Sequence, residues 1–518
     1  MPHPVIIGVA DVKNKDRTLR RDGSDEPAAL ILQAIEAAVA DTGSGKVRAQ
    51  DIDSISVVRP WSWPYPDLPA LLASRLGAKP SFTTTSPHGG NQPAKLLDEA
   101  CRAIAQGRSK LALITGGEAL DSLSEYIKAQ EVPPPGWTEV DDFAAFAADA
   151  LKPPSGETLE GIHGLGAPIQ VYALYENALR AREGVSYADN HRESAEMYAD
   201  FSRVSADNPN SWHHGQASSA AEIGTATRKN RMINTPYTML MCAFNKVNIA
   251  ASVLVTSDEH AAALGIDASR YIYVRGGAGT AETDEFYRRG SFAASPAIGQ
   301  SIDAALAASA LTRDQIDVFD FYSCFPVVPK LACRHLGLPT VASPRPITVL
   351  GGLTSFGGAG NNYSMHAITE LTRRLRRTRQ GQGRENNALV LANGGILSYQ
   401  HVVCLSTAPA SSSPSYPAAP PLGEYTDDIE ECAATAEGKA TIETYTVDFG
   451  RKGDAKRGHV VGRLAANGRR FIANAADEHT LRTLTATDRE VVGLQGRVWT
   501  STEDEGRNLF SLAAEQRL

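Results

Sequence analysis

The feature that most constrains this chain is that one α/β pattern occurs in it twice. Segment 26–58 (EPAALILQAIEAAVADTGSGKVRAQDIDSISVV) and segment 295–322 (SPAIGQSIDAALAASALTRDQIDVFDFY) each begin with a proline suited to a first helical turn, Pro27 and Pro296. Each continues as an amphipathic helix, with Ile31, Ile35, Ala38 and Val39 on one face of the first and Ile298, Ile302, Ala305 and Leu306 on one face of the second. Each then passes through a short acidic turn into an apolar strand. Downstream, 81–104 pairs with 346–375. Both read as strand, glycine-rich turn carrying Gly-Asn (Gly90-Asn91 and Gly360-Asn361), then helix. KLALITGGEAL (110–120) pairs with NALVLANGGIL (387–397), each an apolar strand ending in Gly-Gly. Two copies of one βαβαβ-like order predict two similar, stacked α/β halves.

The segments outside the repeat set the domain boundaries. Residues 1–120 and 241–285 are read as the first half and 286–405 as the second. Residues 121–240 are richer in Pro, Asn, His and Trp, with helical stretches, and are read as an insertion. Residues 406–424 are a Pro/Ser/Ala-rich linker. From 425 to 518 the pattern changes to short strand-like runs, with Asn467-Gly468 predicting a two-residue hairpin turn. This last segment is read as a separate small β-barrel of OB type.

At 518 residues the chain is long enough for several cores, and its net charge is −8. That balance gives no general attraction for nucleic acid or anionic membranes, so any polyanion-binding role needs local evidence. The start, MPHPVIIGVADVKNKD, lacks a basic region and a cleavage site. No stretch reaches the ~18 apolar residues of a membrane span. The six cysteines are scattered without CxxC spacing, which fits a reduced, cytoplasmic protein without a metal ribbon. His213-His214 has no ligand spacing with other histidines, and no dinucleotide fingerprint is present.

Taken together, GGNQPAKLL (89–97), LITGGEAL (113–120), NRMINTPYTML (230–240), DFYSCFPVV (320–328), GGLTSFGGAGNNYSMHAI (351–368) and LANGGILSYQH (391–401) resemble the thiolase superfamily. In detail they resemble thiolase-like proteins of type 1, near the sterol-carrier thiolases, which carry an extra C-terminal β domain. The resemblance implies a five-layered αβαβα thiolase fold, coenzyme A or an acyl-CoA as ligand, a place in lipid metabolism, and an acyltransferase ancestry. It also shows what is missing. Where thiolases carry a nucleophilic cysteine at a helix start, this chain has Ser86-Pro87-His88-Gly89-Gly90-Asn91, and its first cysteine is Cys101, about three turns into the helix. The second motif reads Tyr322-Ser323-Cys324-Phe325. The Gly-His-Pro motif has become Gly357-Gly358-Ala359, and Cys-x-Gly has become Ala392-Asn393-Gly394. Ordinary thiolase turnover is not expected, because nucleophile, base and proton shuttle are lost together.

Three residues remain as catalytic candidates: Tyr322, which could act as acid or base if its pKa is lowered, Cys324 and His88. The candidates for holding the ligand are Gly89, Gly90 and Asn91 at the first turn, Gly358, Asn361 and Gly394 at the others, and Arg228 and Arg231 in the insertion. Cys101 reads as a buried small hydrophobe. Three functions stay open: a CoA-thioester binder with altered or absent acyl transfer, a tyrosine-dependent retro-aldolase on a β-hydroxyacyl-CoA, or a non-catalytic assembly module whose barrel recruits a partner. Monomer and homodimer are both compatible with the sequence.

Overall fold

The structure is a computed structural model that describes residues 2–141, 143, 158–410, 416–420, 422–503 and 506–513. The first half runs β1 (Pro4–Lys13), α1 (Pro27–Asp41), β2 (Ser54–Val57), α2 (Leu68–Leu76), β3 (Phe82–Thr85), α3 (Gln92–Ala105), β4 (Leu111–Ala119) and α4 (Leu120–Ala129). Helices α5 (Pro168–Arg182) and α6 (Tyr187–Asp207) and strands β5 (Met232–Asn234) and β6 (Tyr237–Thr238) form the insertion, and β7 (Asn248–Ser257) returns to the sheet. The second half runs β8 (Ile272–Ala278), α7 (Pro296–Ala308), β9 (Val318–Phe321), α8 (Val327–Leu336), α9 (Tyr363–Arg379), β10 (Asn387–Gly394) and β11 (Tyr399–Ser406).

The nine strands follow the order β3-β2-β4-β7-β1-β8-β11-β10-β9, so the repeat is mirrored about the β1/β8 contact. That contact is only two residues long, Val5 opposite Tyr273 and Ile6 opposite Ile272. The sheet therefore divides into two packed halves. Strand β8 lies within the segment read from sequence as the first half, yet it pairs along its length with β11 of the second. The second half thus begins near Ile272, ahead of the boundary at 286. Helices α3 and α9 touch strands of both halves and each other, while α1 and α2 cover one outer face and α7 the other. This is the expected five-layered αβαβα arrangement. Pro27 and Pro296 stand at the starts of α1 and α7, and Ile31, Ile35, Ile298 and Ile302 are fully buried, as their spacing required.

The halves differ at one strand. The counterpart of β3, residues 346–350, hydrogen-bonds to β9 through Phe319 N–H to Pro346 O at 2.8 Å and Phe321 N–H to Ile347 O at 3.1 Å. It is not a regular strand, because the buried Asp320 carboxylate takes the Val349 and Leu350 N–H groups and the Thr348 hydroxyl. Burial pushes the Asp320 carboxyl up to about 7.

The C-terminal strands are β12 (Cys432–Ala433), β13 (Gly438–Phe449), β14 (Ala455–Leu464), β15 (Arg470–Ala475), β16 (Gln495–Thr500) and β17 (Asn508–Leu512), with helix α10 (Glu478–Leu484) before β16. Pairings β13–β14, β14–β15, β15–β17, β17–β16 and β16–β13 close a five-stranded barrel of OB type. The turn at Asn467-Gly468 is longer than the expected two residues. Leu464 N–H bonds to Arg469 O at 3.0 Å, leaving four residues between, with Gly468 supplying the left-handed conformation.

The barrel is built into the molecule. Asp448 of β13 pairs with Asn234 of β5, so one sheet runs from the barrel into the insertion. Asn177 of α5 donates to Tyr445 O at 2.9 Å, and Thr444 donates to Leu174 O at 2.6 Å. The buried Arg180 reaches Glu490 at 2.6 Å and the Tyr445 hydroxyl at 3.1 Å. Described parts of the connector are fixed as well: Tyr416 donates to Asp98 at 2.8 Å, Arg102 to Pro417 O at 3.1 Å and Gln106 to Ala418 O at 2.9 Å. The picture of a free linker carrying a separate unit is corrected accordingly. The Pro/Ser composition reports the lack of helix and strand, and says nothing of packing. Among the described residues, no helix is long and apolar enough to cross a membrane.

Candidate functional site

The first glycine turn, His88-Gly89-Gly90-Asn91, connects β3 to the start of α3. Its position is held by the second half of the repeat. Asn361, fully buried at the equivalent turn, accepts the Gly89 N–H at 3.0 Å and donates to Arg59 O at 2.9 Å. Asn361 is therefore a clamp between the two turns, and the Gly89 N–H expected to face a ligand is already used. Neighbouring Asn362 performs the parallel task, donating to Gly116 O at 2.8 Å.

One side of the turn is packed shut. A Cβ built on Gly90 would lie 2.7 Å from the Tyr322 hydroxyl and 2.4 Å from Asn393 O, and a Cβ on Gly394 would lie 2.9 Å from the Gly90 nitrogen. Real side chains do not approach so closely, so glycine at both positions lets the turn, Tyr322 and the Asn393 strand end share this space. Tyr322 packs edge-on against Tyr363, with ring centroids 5.4 Å apart. Burial, then the neighbouring Cys324, push the Tyr322 phenol well above its ordinary pKa. The condition under which this tyrosine would serve as a base is thus reversed: its hydroxyl stays protonated and can only donate or accept a hydrogen bond.

Cys324 lies behind it, pushed up to about 12 by burial. Its polar neighbour is Asn393, whose amide lies 3.9 Å from the sulfur and donates to the Tyr172 hydroxyl at 2.7 Å. Gln400 donates to Asn393 Oδ1 at 2.7 Å and completes the cluster. Tyr172, Asn393 and Gln400 were not singled out from the sequence. The signal available was the asparagine inside the altered Cys-x-Gly motif. Tyr172 comes from the insertion and no local pattern reveals it. Cys101 is fully buried in the core, and burial raises its thiol well above the ordinary value.

The other side of the turn is open. A cleft of about 540 Å³ runs from His88, Asn91 and Gln92 along Lys95, Asp98 and Arg102 of α3. Its far walls are Gly279–Ala281, Tyr399–His401 and the connector residues Pro420, Leu422, Gly423 and Glu424. His88 is exposed and stacks on Trp61, with centroids 5.2 Å apart and planes 14° apart. Partial burial and the charge of Arg59 lower its pKa. Trp61 is itself held by Glu118, whose carboxylate accepts the Trp61 N–H at 2.7 Å and the Ser62 hydroxyl at 2.6 Å; burial raises Glu118 to about 7. Along the cleft floor, Asp98 binds His401 at 3.0 Å and Arg102 at 3.0 Å.

Of the candidate site residues, His88 and Asn91 thus line the cleft, while Gly89, Gly90, Asn361, Gly394, Tyr322 and Cys324 gather on the closed side. Gly358 is apart from both, packed beside Asn245. Arg228 is exposed, and Arg231 points to the barrel, donating to Met232 O at 3.1 Å and Phe449 O at 3.5 Å.

Residues 424–503 match the family model of the thiolase-like protein type 1 additional C-terminal domain. Over 99% of both chains, with 32% identity and a TM-score of 0.79, the fold matches the crystal structure of a monomeric SCP2-thiolase like protein type 1 from Mycobacterium smegmatis. The chain belongs to the thiolase-like protein type 1 family. Two more distant structures share the fold of the family's thiolase body. The Ltp2-ChsH2(DUF35) aldolase is 18% identical over 77% of this chain and 97% of that one, with a TM-score of 0.58. Human mitochondrial 3-ketoacyl-CoA thiolase, solved in complex with CoA, is 15% identical over 79% of this chain and 98% of that one, with a TM-score of 0.51. No curated protein sequence matches the chain significantly.

Proposed function

We propose that this thiolase-like protein binds a CoA thioester without forming an acyl-enzyme, presenting the thioester end to the open cleft beside His88 and Asn91. One observation carries the reading. The space into which a nucleophile on the glycine turn would project is filled by the Tyr322 hydroxyl, 2.7 Å from a Gly90 Cβ. No thiol replaces it, since Cys101 is fully buried and Cys324 is pushed up to about 12. Without a thiolate the covalent route has no first step.

What remains suits binding. The cleft volume of about 540 Å³ fits a thioester with part of its acyl or pantetheine chain, in the usual range of ligand sites. Asn91, Gln92 and the Lys95 amine offer donors to carbonyl oxygens, and Pro87, Ala281, Pro420 and Leu422 offer apolar wall. The thiolase solved with CoA supports the ligand class. A second reading, retro-aldol cleavage of a β-hydroxyacyl-CoA, is favoured by Tyr322 standing at the turn as a neutral proton donor. It lacks a base among the side chains nearest to Tyr322.

The test is calorimetric titration with acyl-CoAs of increasing chain length, run beside an acetoacetyl-CoA thiolysis assay. Saturable binding with no thiolysis is expected. Turnover near the common enzymatic scale of ~10 per second would refute the reading. So would the absence of binding at every chain length.

A further inference from the structure

The net charge of −8 hides a concentrated positive edge. Strand β5 lies beside β13 with Asn234 opposite Asp448, and β14 lies on the other side with Arg457 opposite Asp448. Three residues back from Asn234 is Arg231, and three on from Asp448 is Arg451. The pairing therefore brings the turn that ends β5's approach, Thr227–Asn230, to the tip of the β13–β14 hairpin. Both turns are locally fixed, by Thr227 N–H to Asn230 O at 2.9 Å and by Gly450 N–H to Asp454 O at 2.8 Å. Arg231 ties them together through its bond to Phe449 O at 3.5 Å.

The insertion turn supplies Arg228, Lys229 and Arg231. The hairpin supplies Arg451, Lys452, Lys456 and Arg457. Strands spaced ~4.8 Å apart put three strand ends within ~10 Å, so these cations share one small edge. The acids nearby are already committed. Asp454 pairs with Lys456 at 2.5 Å, Asp448 with His459 at 2.9 Å, and Glu222 bonds Ser219 at 2.8 Å. Arg228, Lys229, Arg451 and Lys452 are exposed and have no acidic partner among the described residues, while the Arg457 guanidinium lies against Gly164. Met239 stands with them. Its N–H bonds Arg231 O at 2.9 Å, and its side chain is 42% exposed.

We propose that this edge docks the protein on an anionic phospholipid surface, with Met239 meeting the interface. Two features select a lipid surface over other anions. The cations sit on two turns and line none of the cavities described above, so they do not enclose a single phosphate. Of the exposed large apolar side chains among the described residues only Met239 lies there; the exposed Trp61 and Phe82 belong to the first half, so neither stands beside these cations to stack a base. Several juxtaposed cations beside an anionic leaflet give additive, salt-sensitive attraction. Neither half of the edge suffices alone, so the barrel's fixed seat on the insertion creates the surface.

The test is co-sedimentation of the full chain with phosphatidylcholine vesicles, with and without about one-third phosphatidylglycerol. Four proteins are compared: wild type, Arg451→Glu with Lys452→Glu, Arg228→Glu with Lys229→Glu, and the control Lys79→Glu with Lys110→Glu. All are checked for an unchanged circular dichroism spectrum and melting midpoint. Wild type is expected to pellet with anionic vesicles only, and to be released at ~0.5 M salt. Each patch pair should weaken association tenfold or more, and the control less than twofold. Failure of wild type to pellet at low salt overturns the proposal, as does an equal loss in the control. Retention on immobilised polyglutamate as tight as on vesicles would also overturn it, in favour of an acidic protein partner.

Discussion

At Gly90 the packing leaves no room for a side chain, and this can be measured directly. Gly90→Cys would restore a thiol to the turn, but its Cβ collides with the Tyr322 hydroxyl and Asn393 O. Overpacking of this kind costs about 1–3 kcal/mol, and chemical denaturation of the variant should show it. Tyr322→Ala should cost less in the Gly90→Cys background than in wild type, because there it also removes one of the two obstacles. Tyr322→Phe removes only a hydroxyl. It should keep acyl-CoA affinity within about tenfold, roughly 1.4 kcal/mol, while abolishing any retro-aldol activity the protein has. Activity that survives Tyr322→Phe and is lost in Cys324→Ala would instead make the thiol the working group.

Glu118 gives a prediction in pH. Its folded value is about 7, against an ordinary value of 4.5, because burial disfavours the carboxylate. Between those values the native state holds a proton that the unfolded chain has lost. Stability contributed by the protonated acid is therefore present below pH 4.5 and is lost as pH rises through 7. The wild-type advantage over Glu118→Gln should shrink by ~3 kcal/mol across that window, read from urea unfolding at several pH values. A difference that grows with pH would reverse the assignment. Ionised Glu118 still accepts the Ser62 hydroxyl and the Trp61 N–H, so the Trp61–His88 stack and the fold should stay in place across that window.

Among the elements, the turn after β3 and the turn before α9 depend on each other. Asn361→Ala leaves the Gly89 N–H and Arg59 O without partners inside the protein, which costs about 1–3 kcal/mol. The loss should appear in equilibrium unfolding and as faster amide exchange at Gly89. Much of this level was legible beforehand. The helix periodicity around Ile31 and Ile298, the paired Gly-Asn turns and the Gly-Gly strand ends led to two halves and their packed helices. Three features were not legible, each because a distant group decides it. The irregular strand at 346–350 follows from the Asp320 carboxylate capturing its N–H groups. The closed side of the turn follows from Tyr322 and Asn393 of the second half meeting Gly90 of the first. The described part of the connector is fixed by Tyr416 bonding Asp98, 318 residues earlier. Composition marks that segment as irregular but cannot show what it packs against.

At the scale of the whole molecule, the barrel and the insertion form one structure. Arg180 and Arg470 are both buried between barrel and body, and Arg470 donates to Tyr287 O at 3.2 Å while lying over the Phe292 ring. Ending the chain after residue 424 would expose this surface and strip Asn177 and Arg180 of their barrel partners, Tyr445 and Glu490. The truncated body should melt several degrees lower than the full chain, and the full chain should unfold in one cooperative transition. Two separated transitions would show that the barrel is thermodynamically independent.

The central claim is that a thioester is bound by a thiolase body that cannot take its acyl group. Native mass spectrometry of the protein with a long-chain acyl-CoA tests it in one measurement. The account predicts a complex with the mass of protein plus intact acyl-CoA, which on denaturation returns the unmodified chain. A covalent acyl adduct on any cysteine, or the absence of a complex at saturating ligand, would contradict it.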